Sequence, residues 1–366
     1  MIWDGYRDES WSYRRVTWPG FEEAEDYSMF TGGSIELSAL SQLRASGSLD
    51  FAGESLPSDH DLVRVYYTCT DEAGEESTQP LGTFFLSVGE PTHEGAMVSG
   101  SVDLESVLRV PLKGSYGRYY TVKAGTNAVS KAVSIIEGLG LRTNRPSSSY
   151  VLPRDVTYDP DDSWMTIAND LLSMAGYTSC SPDAWGTVQM LPYTEPQERE
   201  ASWEFTDGSR SIMLPEVKVS DNSEDIPNAV RMTYESEEES LWAASYNDDP
   251  NSRASRVSRG FEVTLTETVT ELSGDTRDER LANLKAKARQ KLVDNSSAIE
   301  YVEWGFPWVP LWPNDAVRIG YLTAGLDWRG AMTEMSVDVG AHAAVTAKAR
   351  RFVRGGFVTT EEGGSW

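Results

Sequence analysis

Apolar and polar positions alternate with period two through most of the first 117 residues. Ser34-Ile-Glu-Leu-Ser38, Ser46-Gly-Ser-Leu-Asp-Phe51, Leu62 to Cys69, Thr83 to Val88 and Met97 to Leu104 each put every second side chain on one apolar face. That alternation predicts half-buried strands, and the turn-forming clusters between them predict antiparallel connections. Residues 1–117 therefore read as one barrel-like or sandwich-like β domain. At Tyr119 the period changes. Gly125-Thr-Asn127 starts a predicted helix in which Ala128, Val129, Ala132, Val133, Ile136 and Leu139 recur at helical spacing, ended by Gly138 and Gly140. A second helix follows Tyr158-Asp-Pro-Asp-Asp-Ser163, with Ser163 as cap, Gly176 as stop, and Trp164, Ile167, Ala168, Leu171, Leu172 and Ala175 on one face. Tyr177 to Cys180 and Thr187 to Leu191, on either side of an Asp-Ala-Trp-Gly turn, read as a hairpin. Residues 118–200 are thus expected to form an α/β module of two helices and a hairpin.

Strand patterns resume at Val217 to Ser220, Asn228 to Tyr234 and Phe261 to Val269. Thr276 to Leu292 predicts a charged helix with a narrow stripe of Leu281, Leu284, Ala288 and Leu292. Arg280, Lys285, Lys287, Arg289 and Lys291 form its solvated side, and Asp278 and Glu279 sit at the amino end, where the helix dipole favours them. The expected division is a second β-barrel domain from residues 201–240 and 297–355, a strand-helix insert at 241–296, and a mobile Gly- and Glu-rich tail at 356–366.

Two segments 254 positions apart are nearly alike: Asp61-Leu-Val-Arg-Val-Tyr-Tyr67 and Asp315-Ala-Val-Arg-Ile-Gly-Tyr321. Each follows a proline, Pro57 or Pro313, and a polar turn. Each leads to a second run, Gly82 to Gly89 or Gly330 to Val337, and then a third, Ala96 to Leu104 or His342 to Ala349. One match could arise by chance, because strand openings draw on few residue types. Three in the same order predict two copies of one small antiparallel β-barrel domain. The fold class expected is mainly β, with an α+β part.

The 366 residues allow two to three domains, each with an adequate core. With 57 acidic against 32 basic residues the formal charge is −25, so the chain repels nucleic acid unless cations cluster locally. The densest basic patch, Lys348-Ala-Arg350-Arg351, is short. Cys69 and Cys180 stand far apart and read as small buried hydrophobes. The amino terminus shows no apolar stretch of the kind a secretion signal needs, and no run of about 18 apolar residues predicts a membrane span. The expectation is a chain folded in the cytosol.

The residues offer no motif for a reaction. His60, His93 and His342 without a CxxC pattern do not make a zinc site, and Asp159-Pro-Asp-Asp162 and Asn247-Asp-Asp249 lack the full calcium-loop pattern. No Gly-x-Ser-x-Gly elbow and no phosphate-cradling glycine loop occurs, so no catalytic, cofactor or metal residue is assigned. Glu303-Trp-Gly-Phe-Pro-Trp-Val-Pro-Leu-Trp-Pro313 is an aromatic run broken by prolines. About half its rings are expected in the core, and exposed rings would serve a protein contact or stack on a sugar.

The order of barrel, α/β module and second barrel with a helical insert resembles the central hub proteins of phage tails and related injection machines. Tyr158 to Tyr177, Asn228-Ala-Val-Arg-Met-Thr-Tyr234 and Leu311-Trp-Pro-Asn-Asp-Ala-Val-Arg-Ile319 carry that resemblance, which extends over about residues 30–350. It implies a homotrimer whose two barrels per chain make a pseudo-sixfold ring on a sixfold tail ring, with a threefold tip on the other face. It implies as partners the chain itself, a distal tail ring protein, a tape measure protein and tip or receptor-binding proteins. DNA is met only in transit, and no cofactor is needed. The place implied is the virion tail, assembled in the host cytoplasm. Three chains of −25 each would repel DNA from a channel wall. The chain stops soon after the second barrel, which weighs against a lysin or receptor-binding extension. Arg64, Arg318, Trp304, Trp308 and Trp312 are the candidate assembly interface. Two other readings stand beside this one. A carbohydrate- or receptor-binding module would need Trp304, Trp308 and Trp312 exposed along one groove, and a tail-tip peptidase or glycosidase would need a cleft of convergent acids or a Cys–His pair.

Overall fold

The computed structural model describes Trp3 and residues 7–58, 60–194, 199–208, 211–221, 226–236, 239–269, 272, 274–295, 298–340, 342–353 and 359–365. The fold is mainly β, as the alternation predicts, and divides into two compact units. The first comprises Met1–Val217 and Glu303–Ala349, the second Lys218–Val302 and Arg350–Trp366. These bounds differ from the expected ones, which placed Asn228–Tyr234 in the second barrel and ended the insert at residue 296.

In the first unit the amino-terminal strands are β1 (Arg7–Val16), β2 (Glu23–Asp26), β3 (Phe30–Ser38), β4 (Ala45–Gly53), β5 (Leu62–Asp71), β6 (Glu76–Val88), β7 (Thr92–Glu94) and β8 (Met97–Ser106). A short helix, α1 (Arg109–Lys113), leads to the module, which holds β9 (Tyr120–Val122), α2 (Ala128–Gly138), β10 (Arg142–Thr143), β11 (Val156–Tyr158), α3 (Trp164–Met174), β12 (Ser181–Pro182) and β13 (Thr187–Gln189). Then comes β14 (Trp203–Thr206), and β15 (Val217–Asp221) starts at the last residue of this part and continues in the second unit. Beyond the second unit's elements, β19 (Ala298–Pro307), β20 (Ala316–Tyr321), β21 (Leu326–Val339) and β22 (Ala344–Val353) complete the list, with β19 counted here from Glu303 and β22 up to Ala349.

The duplication is visible in the pairing. The strands β4, β5, β6 and β8 lie side by side in the order β4-β8-β6-β5, and β19 to β22 lie in the order β19-β22-β21-β20. Each copy is thus first-fourth-third-second in chain order. The segments that open at Asp61 and Asp315 become β5 and β20, the second strand of each copy. The copies differ in register by one pleat: Gly82 faces Val65, whereas Gly330 faces Val317, the counterpart of Val63. They also differ outside the repeat, where β1 lies antiparallel on β5 and β14 lies parallel on β20.

The copies are not separated by a linker. Strand β21 pairs antiparallel with β3, from Glu334 opposite Ser38 to Val339 opposite Gly33, so one hydrogen-bonded sheet runs through both. Beside this junction β3 and β4 approach closely through glycines. A Cβ on Gly33, whose φ is +148°, would stand 2.1 Å from the Ser48 carbonyl oxygen, and one on Gly47 would stand 2.2 Å from that of Ser34.

The module shares its core with the first barrel. Val16, Phe21, Leu62, Val107 and Leu108 from the barrel pack with Val129, Ala132, Ile136, Ile167, Leu171 and Leu172 from the two helices in a single buried cluster. The boundary expected near residue 117 is therefore not a boundary of packing. Both helices start as the sequence requires. Asn127 accepts from the Ser130 amide at 2.9 Å, and Ser163 from the Thr166 amide at 3.0 Å. Both end before a left-handed glycine, Gly140 or Gly176.

The module itself is a second, smaller duplication. Shifting by 36 positions carries β9 onto β11, the cap Asn127 onto Ser163, α2 onto α3 and Gly140 onto Gly176. Buried helix positions coincide as well: Val129 with Met165, Ala132 with Ala168, Ile135 with Leu171, Ile136 with Leu172. The halves clasp each other. Strands β9 and β11 pair antiparallel, Ser115 bridges Ser163, and its counterpart Val151 bridges Asn127. Each half thus sends the segment just before its own strand across to the other's cap.

In the second unit, β16 (Ala229–Glu235), β17 (Ser240–Asn247), α4 (Arg256–Arg259), β18 (Thr264–Val269), α5 (Arg277–Asn295) and β23 (Thr359–Ser365) make a four-stranded sheet in the order β18-β16-β17-β23 with α5 on one face. Val230, Met232, Leu241 and Ala243 meet Leu284, Ala288 and Leu292 from the predicted stripe. The tail expected to be mobile over 356–366 contributes β23, paired with β17 from Thr359 opposite Asn247 to Ser365 opposite Leu241; positions 356–358 and 366 lie outside the described residues. Backbone pairing overrides the poor strand preference of its glycines.

Gly33→Ala should lower stability by about 2 kcal/mol or more in chemical denaturation, because its methyl group has no space. Gly74→Ala, with φ +80° and nothing within 4 Å, should cost only about 1 kcal/mol.

Candidate assembly interface

The five residues expected at an interface are placed very differently. Val302, Trp304, Phe306 and Trp308 occupy alternate positions and are all buried, with Trp304 at 1% and Trp308 at 0% exposure. Trp304 stacks on Phe306 at 5.8 Å between centroids and meets Phe205 edge-on at 5.3 Å. Trp308 packs on Tyr67 at 4.9 Å and on Trp3 at 5.8 Å. Trp312 is half-buried, 6.5 Å from Trp308, and its backbone N–H donates to Asp315 Oδ2 at 2.9 Å. The structure does not bring three exposed indoles into one groove; two of them belong to the core of the first unit.

Around Tyr67 and Trp308 the amino-terminal strand ties the two copies together. The Tyr67 hydroxyl donates to Glu9 Oε1 at 2.7 Å, and the Ala343 backbone N–H donates to Glu9 Oε2 at 2.9 Å. One carboxylate thus holds strand β5 of the first copy and the loop before β22 of the second. Arg7 Nε lies 3.0 Å from the same carboxylate, and Trp11 Nε1 donates to the Gly340 carbonyl at 3.0 Å. Burial, with the hydrogen bond to Glu9 second, pushes the Tyr67 hydroxyl far above its ordinary value, so it stays a donor.

The matched arginines have diverged. Arg64 on β5 is buried at 3% exposure. Its Nε donates to Thr83 Oγ1 at 2.8 Å, its Nη1 to Glu23, and its Nη2 to the Trp185 carbonyl at 3.1 Å, while its carbon lies 4.9 Å over the Trp185 ring. Arg142 donates to the same Trp185 carbonyl at 2.7 Å, and Thr83 Oγ1 donates to the Ala184 carbonyl at 2.8 Å. The Asp-Ala-Trp-Gly turn of the module is therefore latched onto the first barrel. Its shape comes from Asp183 Oδ1, which accepts from the amides of Trp185 at 2.9 Å and Thr187 at 2.8 Å, and from the left-handed Gly186. Glu23 also accepts from the Tyr66 hydroxyl. Burial raises the Glu23 carboxyl, but the hydrogen bonds from Tyr66 and Arg64 outweigh it and leave the group below its ordinary value.

Arg318 on β20, the counterpart of Arg64, is exposed. It forms a forked pair with Asp327 at 3.0 and 3.1 Å and lies 3.8 Å from Glu204. The aspartates ahead of them differ too: Asp61 receives Arg15 at 3.0 Å, whereas Asp315 closes the Trp312 turn, and burial raises its carboxyl. Of the five expected residues, then, Arg318 and Trp312 reach the surface, while Arg64, Trp304 and Trp308 hold the unit together. Glu9, Glu23 and Trp185 were not singled out by sequence. Apart from Arg7 beside Glu9, their partners are remote in the chain, and only the Asp183-to-Gly186 turn left a local signal.

Among the described residues no three His, Cys, Asp or Glu side chains are grouped to hold a metal, and no helix is long and apolar enough to cross a membrane. Cys69 and Cys180 are both buried free thiols, and burial pushes Cys180 up to about 12.

No protein-family model matches the chain, and no curated protein matches it. Solved structures do. The tail protein from Neisseria meningitidis MC58 superposes with a TM-score of 0.59 at 12% identity, over 94% of this chain and 97% of that one. The 43 kDa tail protein of prophage MuSo2 from Shewanella oneidensis gives 0.60 at 12%, over 93% and 97%. A chain of the lidded Francisella PdpA–VgrG complex gives 0.55 at 7%, over 94% of this chain and 53% of that one. This chain shares the fold of these tail proteins over more than nine-tenths of its length.

Arg64→Ala should cost about 2–3 kcal/mol and loosen the module, read by denaturation and by faster hydrogen exchange at residues 183–187. Arg318→Ala should leave the denaturation midpoint nearly unchanged, because its pair with Asp327 is exposed to water. The contribution of Glu23, whose folded value is depressed, is present above its ordinary value of 4.5 and should be lost as pH falls through the folded value. Glu23→Gln should flatten that part of a stability–pH profile.

Proposed function

We propose that this chain is the structural hub of a phage tail tip or baseplate. It acts as a homotrimer in which two β-barrel copies per chain make a pseudo-sixfold ring. The ring adapts a sixfold distal tail ring to a threefold tip and lines the channel through which the tape measure protein, and then DNA, passes. The observation that carries this reading is the repeated strand order, β4-β8-β6-β5 and β19-β22-β21-β20, within one continuous sheet. A fixed spacing between two like domains is what a threefold assembly needs in order to present six like surfaces. The fold shared with tail proteins over more than nine-tenths of the chain supports the same reading.

The proposed partners are the chain itself, the distal tail ring protein, the tape measure protein and tip or receptor-binding proteins. The proposed place is the virion tail, after assembly in the host cytoplasm. The formal charge of −25 per chain supports a conduit that does not retain DNA. In this reading Trp308 helps fix the relation of the two copies, Trp304 fills the core of the second copy, Arg64 fastens the module to the first, and Arg318 and Trp312 are the members of the expected set available for contacts. The role is structural and assigns no catalytic residue.

Light scattering on the purified chain, alone and mixed with a distal tail ring protein, tests this reading. The expected species has three times the chain mass in at least one of the two conditions, and negative-stain images should show six peripheral lobes. A monomer or a dimer in both conditions would overturn it.

A further inference from the structure

Within the second unit both edges of the sheet are open. Among the described residues, β18 pairs only with β16, and β23 only with β17. Natural sheets guard such edges with prolines, lysines or covering segments. Strand β18, Thr264-Leu-Thr-Glu-Thr-Val269, has neither proline nor lysine. Its single charge, Glu267, is held by Lys291 at 2.8 Å. Three threonines alternate along it on the exposed side, a composition suited to a paired strand.

The two edges also run in the same direction. Strand β18 is parallel to β16, β17 is antiparallel to β16, and β23 is antiparallel to β17. Both edges therefore point the way β16 points. Rotation about an axis along the strands preserves that direction, so β23 of one copy can meet β18 of the next as a parallel pair. A twofold axis would instead set like edges together.

The two faces are unlike. Helix α5 covers one of them. The other has a small buried cluster of Ala229, Ala244 and Tyr246, with Arg256 over the Tyr246 ring at 3.8 Å, and around it Arg231, Thr233, Thr266, Thr268, Thr360 and Glu362, so its exposed part is one of hydroxyls and charges. Tyr246 reaches Glu362 across this face at 3.3 Å.

We propose that β18 and β23 of the second unit are the contact between copies of this chain, joining three four-stranded sheets into one closed, twelve-stranded barrel with α5 outside and the threonine-rich face lining the interior. The occupant of each open edge is a second copy of the chain, and the contact rests on the trimer reading above. Closure satisfies the backbone groups of both edges at once, which a head-to-tail ring achieves and an open chain of copies does not.

The test is a cysteine pair, Thr266→Cys on β18 with Glu362→Cys on β23, in the full chain, treated with a bis-maleimide of reach under about 10 Å. Within one sheet the two positions lie three strand spacings apart, about 14 Å, beyond that reach. The natural thiols are buried. The expected result is covalent dimer and trimer and no larger species, with neither single variant crosslinking. Amides of Thr264–Val269 should also exchange at least tenfold more slowly in the trimer than in diluted monomer. A trimer by light scattering that gives no crosslink and no added protection overturns this contact while leaving the hub reading intact. Crosslinked dimer from Thr266→Cys alone would assign a twofold contact and overturn it too. A monomer under every condition overturns both.

Discussion

The ladder between β3 and β21 is the constraint on which the first unit depends. Without it the two barrel copies would be beads on a chain, with the angle between them set by loops. With it, six residue pairs fix one copy against the other, and the Glu9 carboxylate adds a second tie by holding Tyr67 of one copy and the Ala343 amide of the other. The glycines of β3 follow from this. Position 33 must pair with Val339 on one side while lying against Ser48 on the other, and no side chain fits between. The tryptophans follow as well, since the space enclosed where the copies meet is filled by Trp308, Tyr67 and Trp3.

Within that frame the matched positions have parted in role. Arg64 and Arg318 occupy corresponding places in corresponding strands, yet one is sealed beneath Trp185 and the other forms a surface pair. The cause is what covers each copy. The first barrel receives the module, whose turn presents the Trp185 carbonyl to a buried guanidinium already paired with Glu23 and Thr83, and these hydrogen bonds offset the cost of removing the charge from water. The second copy has β14 beside β20, and its arginine remains solvated. A repeat in the fold therefore does not imply a repeat in the chemistry.

Local order was legible in the chain wherever neighbours in sequence decide it. The helices of the module, their caps and their stop glycines follow from Asn127, Ser163, Gly140 and Gly176, and the barrel strands follow from alternation. Pairing partners were less legible. Asn228–Tyr234 has the look of a barrel strand, but alternation does not say which strand lies alongside, and β17 and β18 claimed it. The prolines of the aromatic run at 303–313 argue against a ladder, yet Val302, Trp304, Phe306 and Trp308 alternate as a buried strand does. The 36-residue repeat leaves little trace in the sequence, because its halves share spacing and burial and almost no identities. Trp164 stands where Ala128 does, and Tyr120 where Val156 does.

The antiparallel ladder between the copies has a mechanical consequence. A pull that drags one copy past the other along the strand axis loads all six residue pairs of β3 and β21 together, in shear. The same force applied across the strands would peel them apart one after another. A junction built in this way resists sliding far better than it resists unzipping, so the direction of an applied load, more than its size, decides whether the two halves stay in line.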